Sequence, residues 1–242
     1  MHRSGILTLA ALAALLTSCG SESTPRAGGD STAPHTVGMP IDRATTAPNV
    51  FRVRFETNKG PFVVEAHRDW APRGVDRFYH LVQSQYFDNV RFFRVVSSFM
   101  AQFGMHGDPK VNAAWEQMPI QDDSVRESNR RGYLTFAMRS EPNTRTNQFF
   151  INIVNNRNLD ESGFAPIGRV VDGLAVIDSL YADYGEGAPR GNGPDQTRIR
   201  IEGNAYLERD YPKLDFIRSA RVVTDSSAAA ATDTHDTSAK KR

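Results

Sequence analysis

The sequence predicts a mainly β domain at residues 50–223, an antiparallel barrel or sandwich with helical caps. Three observations carry this. Strict apolar/polar alternation opens the domain in "FRVRFETNKGPFVVEAH". Short strand-like runs then recur between turn-rich connections. Only one long stretch, "APRGVDRFYHLVQSQYF", has helical spacing.

Each element follows from its own pattern. Phe51, Val53 and Phe55 alternate with Arg52, Arg54 and Glu56, the period of a half-buried strand. Asn58-Lys59-Gly60 makes a turn, and Phe62, Val64 and Ala66 continue on a second strand, so the pair is a hairpin. Pro72 suits a first helical turn, and Val75, Phe78, Tyr79, Val82 and Tyr86 keep the three-to-four spacing of an amphipathic helix. Further strands are expected at 90–96, 133–138, 148–154 and 164–171, a short helix in "LAVIDSLY" and a closing strand in "FIRSARVV". Between the last two, Gly and Pro make the first half of "YGEGAPRGNGPDQTRIRIEGNAYLERDYPKLD" an irregular loop. Its end, "AYLERDYPKLD", reads as a short helix.

Composition narrows the function classes. Hydrophobic residues are 39% and charged residues 24%, ordinary for a globular chain. With 29 basic and 28 acidic residues there is no basic excess to hold nucleic acid. The single cysteine, Cys19, cannot form an internal disulfide. It ends "MHRSGILTLAALAALLTSCG", in which an apolar run at 6–16 is too short to span a bilayer, for which about 20 apolar residues are needed. The segment has the shape of a secretory signal over residues 1–18. Leu16-Thr17-Ser18-Cys19 resembles a bacterial lipobox, which implies a diacylglycerol on the Cys19 thiol. Each buried methylene contributes about 0.8 kcal/mol, so two or three acyl chains anchor a protein stably. Loss of 1–18 removes one arginine and no acid, leaving 28 charges of each sign. Residues 19–49, rich in Ser, Thr, Pro, Gly and Ala, read as the lipidated cysteine and a flexible tether, and 224–242 as a disordered tail. This organisation implies a lipid-anchored protein of the bacterial cell envelope, on the periplasmic side of the inner or outer membrane or on the cell surface.

Two stretches carry chemistry. In "RFFRVVSSFMAQFG", Arg94 shares a two-residue spacing with Phe92 and Val96, which places a charge on an apolar face. Such a charge is costly unless paired or used. In "NQFFINIV", Phe149, Ile151 and Ile153 share a core face, and Gln148, Phe150 and Asn152 share the other. Phe150 on that polar face reads as one wall of an open apolar pocket. Other candidates carry less. The six histidines have no metal-ligand spacing, Asp122 and Asp123 read as a solvated loop, and there is no phosphate-binding glycine loop.

"FFRVVSSFMAQFGMHGDP", "GYLTFAMRSEPNTRTNQFFI" and "LDESGFAPIGRVVDG" resemble, in order and spacing, three blocks of the cyclophilins, which are peptidyl-prolyl cis/trans isomerases. The resemblance covers about residues 50–180 and extends more loosely to 223. It implies a closed eight-stranded antiparallel β-barrel capped by two α-helices, with an active groove on its outside. It implies Arg94 as the catalytic residue and Phe99, Met100, Phe150 and Leu159 as walls of a proline pocket. Gln102, Ala137 and Gln148 match positions that contact or orient the substrate backbone. The family has no cofactor and no metal, and its implied partners here are proline-containing segments of exported or envelope proteins, bound by a monomer. Asn158 stands where many cyclophilins have the tryptophan that supports cyclosporin binding. Phe164 stands at the family's pocket histidine, Met138 at an asparagine and Ser97-Ser98 at a proline-glycine. Asn158 and Phe164 motivate an alternative: a proline-peptide-binding module or chaperone with weak turnover.

Overall fold

A computed structural model describes residues 37–41 and 46–223. The signal segment 1–18, Cys19, most of the tether and the tail 224–242 lie outside the described residues. The elements are β1 (Val50–Thr57), β2 (Gly60–His67), α1 (Pro72–Gln83), β3 (Val90–Arg91), β4 (Arg94–Val96), β5 (Met100–Phe103), α2 (Pro109–Glu116) and β6 (Tyr133–Phe136). They continue with β7 (Phe149–Asn152), α3 (Asn158–Glu161), β8 (Pro166–Asp172), α4 (Leu174–Asp178), α5 (Gln196–Glu202), α6 (Asn204–Asp210) and β9 (Phe216–Val222). Among the described residues no helix is long and apolar enough to cross a membrane.

The expected hairpin forms, with Thr57 opposite Gly60. Its alternation sends Phe51, Val53, Phe55, Phe62, Val64 and Ala66 into the core and leaves Arg52 and Arg54 outside. The α1 helix starts at Pro72 and lays Val75, Phe78, Leu81 and Val82 against β2, β8 and β9. Tyr86, placed on this helix by periodicity, lies beyond its end. Its buried hydroxyl donates to the Gly104 carbonyl at 2.8 Å and receives the Asn147 side-chain N–H at 2.6 Å.

One antiparallel sheet runs in the order β3-β9-β1-β2-β8-β6-β7-β5-β4. This corrects the expected closed eight-stranded barrel: the sheet is curled and open, with nine strands. The cause is local. The run expected as a single strand at 90–96 divides, because Val90 and Arg91 pair with β9 whereas 94–96 pair with β5. The two edge strands are therefore neighbours in the chain, separated only by Phe92 and Phe93. At this break the strand parity is lost. Phe92 enters the main core instead of sharing the face of Arg94 and Val96. Phe93 enters a second cluster with Met105, Ile199, Tyr206, Leu207 and Leu214.

Six helices, not two, accompany the sheet among the described residues. The short helix α4 packs on β2, and α2 packs on α5. Asp108 caps α2 by accepting from the Lys110 backbone N–H at 2.8 Å, and Asp195 caps α5 by accepting from Thr197 N–H at 2.6 Å. The α6 helix matches the expected one before the last strand. Upstream of Val50, short stretches of the chain also touch the domain. Gly38 N–H donates to the Ser84 carbonyl at 2.8 Å, and the Trp115 indole donates to the Gly38 carbonyl at 2.7 Å.

Asp122 and Asp123 are not a solvated loop. Asp123 is buried and accepts from the backbone N–H groups of Arg73 and Gly74, at 3.1 and 2.9 Å. It thereby supplies the cap that Ala71 cannot give to α1. The guanidinium of Arg145, also buried, reaches Asp123 at 3.1 Å, Asp122 at 3.1 Å and the Gln121 carbonyl.

Candidate active site

The site is built on the outer face of the sheet where β4, β5 and β7 lie side by side. Register places Arg94 opposite Gln102, and Gln102 opposite Phe150. The alternating partners Val95, Ala101, Phe149 and Ile151 point into the core. Two-residue periodicity thus lifts one arginine, one glutamine and one phenylalanine into a single outward row. Ser97 and Ser98 form the exposed turn of the β4–β5 hairpin, closed by Phe99 N–H donating to the Val96 carbonyl at 2.8 Å. The turn brings the Phe99 ring centroid to 5.7 Å from the Arg94 guanidinium carbon.

Phe99 is fixed from the far side as well. Its carbonyl accepts from Ile153 N–H at 3.0 Å and from the Asn156 amide at 2.9 Å. The opposite wall hangs on α3. Phe164 N–H donates to the Leu159 carbonyl at 3.2 Å, and the Phe164 ring meets Phe150 edge-on at 5.9 Å. Asp160 holds this helix by accepting from the Ser128 hydroxyl and from two N–H groups of Asn129. Burial works against its charge, but these hydrogen bonds outweigh it and hold the carboxyl below the ordinary aspartate range. A depressed value means stabilisation that is present above the unfolded pKa and lost as pH falls through the folded one. Asp160→Asn is therefore expected to melt below the parent at about pH 6, with the gap closing as both are acidified through the ordinary aspartate range and below it. Thermal melts across that window check this.

All nine residues expected around a groove border one cavity of about 270 Å³: Arg94, Phe99, Met100, Gln102, Ala137, Gln148, Phe150, Leu159 and Phe164. Their polar groups form a chain. Arg94 Nη1 donates to Gln102 Oε1 at 3.0 Å, and Gln102 Nε2 donates to Gln148 Oε1 at 2.9 Å. Arg94 Nη2 donates to Glu186 Oε2 at 2.6 Å, and the buried Arg94 Nε–H has no partner among the described residues. Burial opposes the charge on Glu186, but the Arg94 guanidinium beside it holds its carboxyl below the usual carboxylate range. Asn158 is exposed and does not border the cavity.

A family model for "Cyclophilin type peptidyl-prolyl cis-trans isomerase/CLD" matches residues 52–203. The chain belongs to this family of isomerases. Among curated relatives, peptidyl-prolyl cis-trans isomerase B of Escherichia coli (strain K12) is 33% identical over 181 residues, covering 72% of this chain and 99% of its own length. A peptidyl-prolyl cis-trans isomerase of Acinetobacter baylyi is 32% identical over 136 residues, covering 53% of this chain and 70% of its own. Among solved structures, a cyclophilin-type isomerase of Cryptosporidium parvum aligns at TM-score 0.52 with 21% identity, over 73% of this chain and 99% of that one. The cyclophilin AquaCyp293 of Hirschia baltica aligns at TM-score 0.51 with 20% identity, over 75% and 77%. These two likenesses support the cyclophilin fold.

This cyclophilin also lines its cavity with residues that sequence reasoning did not single out as site residues: Glu116, Arg139, Thr144, Thr146, Gln196 and Arg200. The threonines flank Arg145 in the second block that resembles the family, so their place was within reach of the sequence. Gln196 and Arg200 come from α5 in the segment between α4 and β9, and nothing local marks them. Arg200 is held by the Glu116 carboxylate at 3.0 and 3.2 Å, which joins α5 to α2.

Proposed function

We propose that this cavity accelerates rotation about Xaa-Pro bonds, with Arg94 as the donor that favours the twisted amide. The observation that carries the reading is the row of Arg94, Gln102 and Phe150 beside Phe99, bordering one cavity. A peptide bond resists rotation by about 18–20 kcal/mol because the nitrogen lone pair is delocalised into the carbonyl. Before proline the two isomers differ by only about 0.5–1 kcal/mol, yet exchange takes tens to hundreds of seconds. The reaction makes no bond and moves no proton. It requires only that the twisted amide bind better than either planar form.

The residues suit this division of labour. Phe99, Met100, Phe150, Leu159 and Phe164 offer apolar surface to a proline ring. Gln102, Gln148 and the backbone at Ala137 offer hydrogen bonds to the flanking peptide. As the bond twists, the prolyl nitrogen regains a lone pair and becomes an acceptor. A guanidinium set at that spot, charged and planar, donates to it at no cost of reorientation. The test is an isomerisation assay on a proline-containing peptide. Acceleration by the parent chain and not by Arg94→Ala is expected. Peptide binding without acceleration above the Arg94→Ala level would leave only a proline-binding module.

The clients proposed are exported or cell-envelope proteins, reached by a monomeric domain held at the membrane through lipid on Cys19. The signal-like residues 1–18 and the single cysteine at the lipobox position support this. Cys19→Ala is expected to abolish fatty-acid labelling and membrane retention. Unchanged membrane association of that variant would count against the anchor.

A further inference from the structure

We propose that Glu186 is a positioning residue for Arg94, delivered by the segment between α4 and β9, and that it sets the guanidinium for the twisted amide. The proposal rests on the reading of Arg94 as the donor. Arg94 is held at both terminal nitrogens, by Gln102 at 3.0 Å on one side and Glu186 at 2.6 Å on the other. One hydrogen bond leaves a guanidinium free to swing about the line of that bond; two bonds at opposite ends fix its plane. The partner on the Gln102 side belongs to the sheet. The partner on the Glu186 side lies 92 residues away in sequence.

The carboxylate is itself held from several sides. Glu186 Oε1 accepts from the Gly187 backbone N–H at 3.1 Å, and the Glu186 carbonyl accepts from Gly193 N–H at 2.8 Å. A side chain at Gly191 would meet that same carbonyl at 2.3 Å, so the turn closes only around glycine. The Tyr211 hydroxyl bridges the carbonyls of Asn192 and Gly193, both at 3.2 Å. Tyr211 packs edge-on against Tyr184 and Tyr206. Those rings belong to the second cluster, which also buries Phe93, the residue directly before Arg94. The segment is thus packed at both ends of the Glu186–Arg94 contact. It holds a carboxylate against the guanidinium as part of the site.

Steady-state isomerisation by the full chain tests this, with the parent, Arg94→Ala, Glu186→Ala, Glu186→Gln and Glu186→Asp side by side. Glu186→Ala is expected to lower kcat by about ten- to a hundred-fold with KM little changed, the scale of a misplaced catalytic group. Glu186→Gln keeps an acceptor oxygen and is expected to recover most of the loss. Nitrogen-resolved NMR of Arg94 adds a readout that a merely structural role would not move. Separate terminal-nitrogen signals in the parent are expected to merge in Glu186→Ala as the guanidinium rotates freely. A folded Glu186→Ala with kcat equal to or above the parent overturns the proposal. If that variant does not fold, Glu186→Asp decides: it draws the carboxylate back by one methylene, and an unchanged kcat overturns the proposal equally. A parent no faster than Arg94→Ala would instead overturn the reading of the site, and this proposal with it.

Discussion

Replacing Arg94 by alanine is expected to lower kcat/KM for an Xaa-Pro peptide by about 10²–10³-fold, the cost of losing one preorganised donor to a developing charge or lone pair. The fold is expected to survive, because Arg94 lies on the outer face and Val95, its neighbour in β4, carries the core contact. The loss belongs in kcat more than in KM. Phe99, Met100 and Phe150 remain to hold the proline ring, whereas the missing donor matters chiefly when the bond twists. Arg94→Lys is expected to recover little. A lysine keeps the charge, but its single ammonium cannot meet Gln102 and Glu186 from a rigid fork and still face the substrate. Steady-state kinetics beside a thermal melt separates these effects. An Arg94→Ala variant that folds and keeps near-parent kcat would refute the role.

The second large effect is on stability. Asp123→Ala is expected to cost about 3–5 kcal/mol of unfolding free energy, the usual cost of removing one partner of a buried ion pair. The side chains of Asp123 and Arg145 are each only 2% exposed, so the guanidinium left behind has little water to turn to. Asp122 and the Gln121 carbonyl still reach it, but its principal counter-charge is gone. The same substitution frees the Arg73 and Gly74 N–H groups at the start of α1. Denaturant unfolding of Asp123→Ala and of Asp122→Ala side by side checks this. Asp122 is the more exposed partner and is expected to cost clearly less. Equal losses at the two positions would show that burial does not set the difference.

Of the residues bordering the cavity, Phe150 was legible in the sequence for a geometrical reason, and most of the others only through the family resemblance. In a strand, alternate side chains face opposite ways, so Phe149 and Ile151 in the core force Phe150 outward wherever β7 lies. The hairpin and α1 follow equally from period and turn chemistry. Where the period was interrupted, the reading failed. Phe92 was placed on the face of Arg94 because 90–96 looked continuous, and the change of partner between β9 and β5 has no local mark. Seven strands follow from the local patterns; that break makes one of them two, and β5, where no strand was expected, is the ninth. Helices α2 and α5 went unread although Asp108-Pro109 and Asp195 are ordinary start signals. At eight and seven residues they are too short for periodicity to stand out.

Asp123 shows the limit from the other side. Two adjacent aspartates look solvated until Arg145 arrives from 22 residues away. Local sequence therefore determined which side chains face outward on β7, the family, and through it the candidate donor at Arg94. Only the tertiary structure decided what holds that donor. Glu186 reaches Arg94 because α5, α6 and the tyrosines around them pack a second cluster beneath Phe93. Packing between segments so distant in the chain depends on shape and burial in three dimensions, and no pattern of neighbouring residues encodes it.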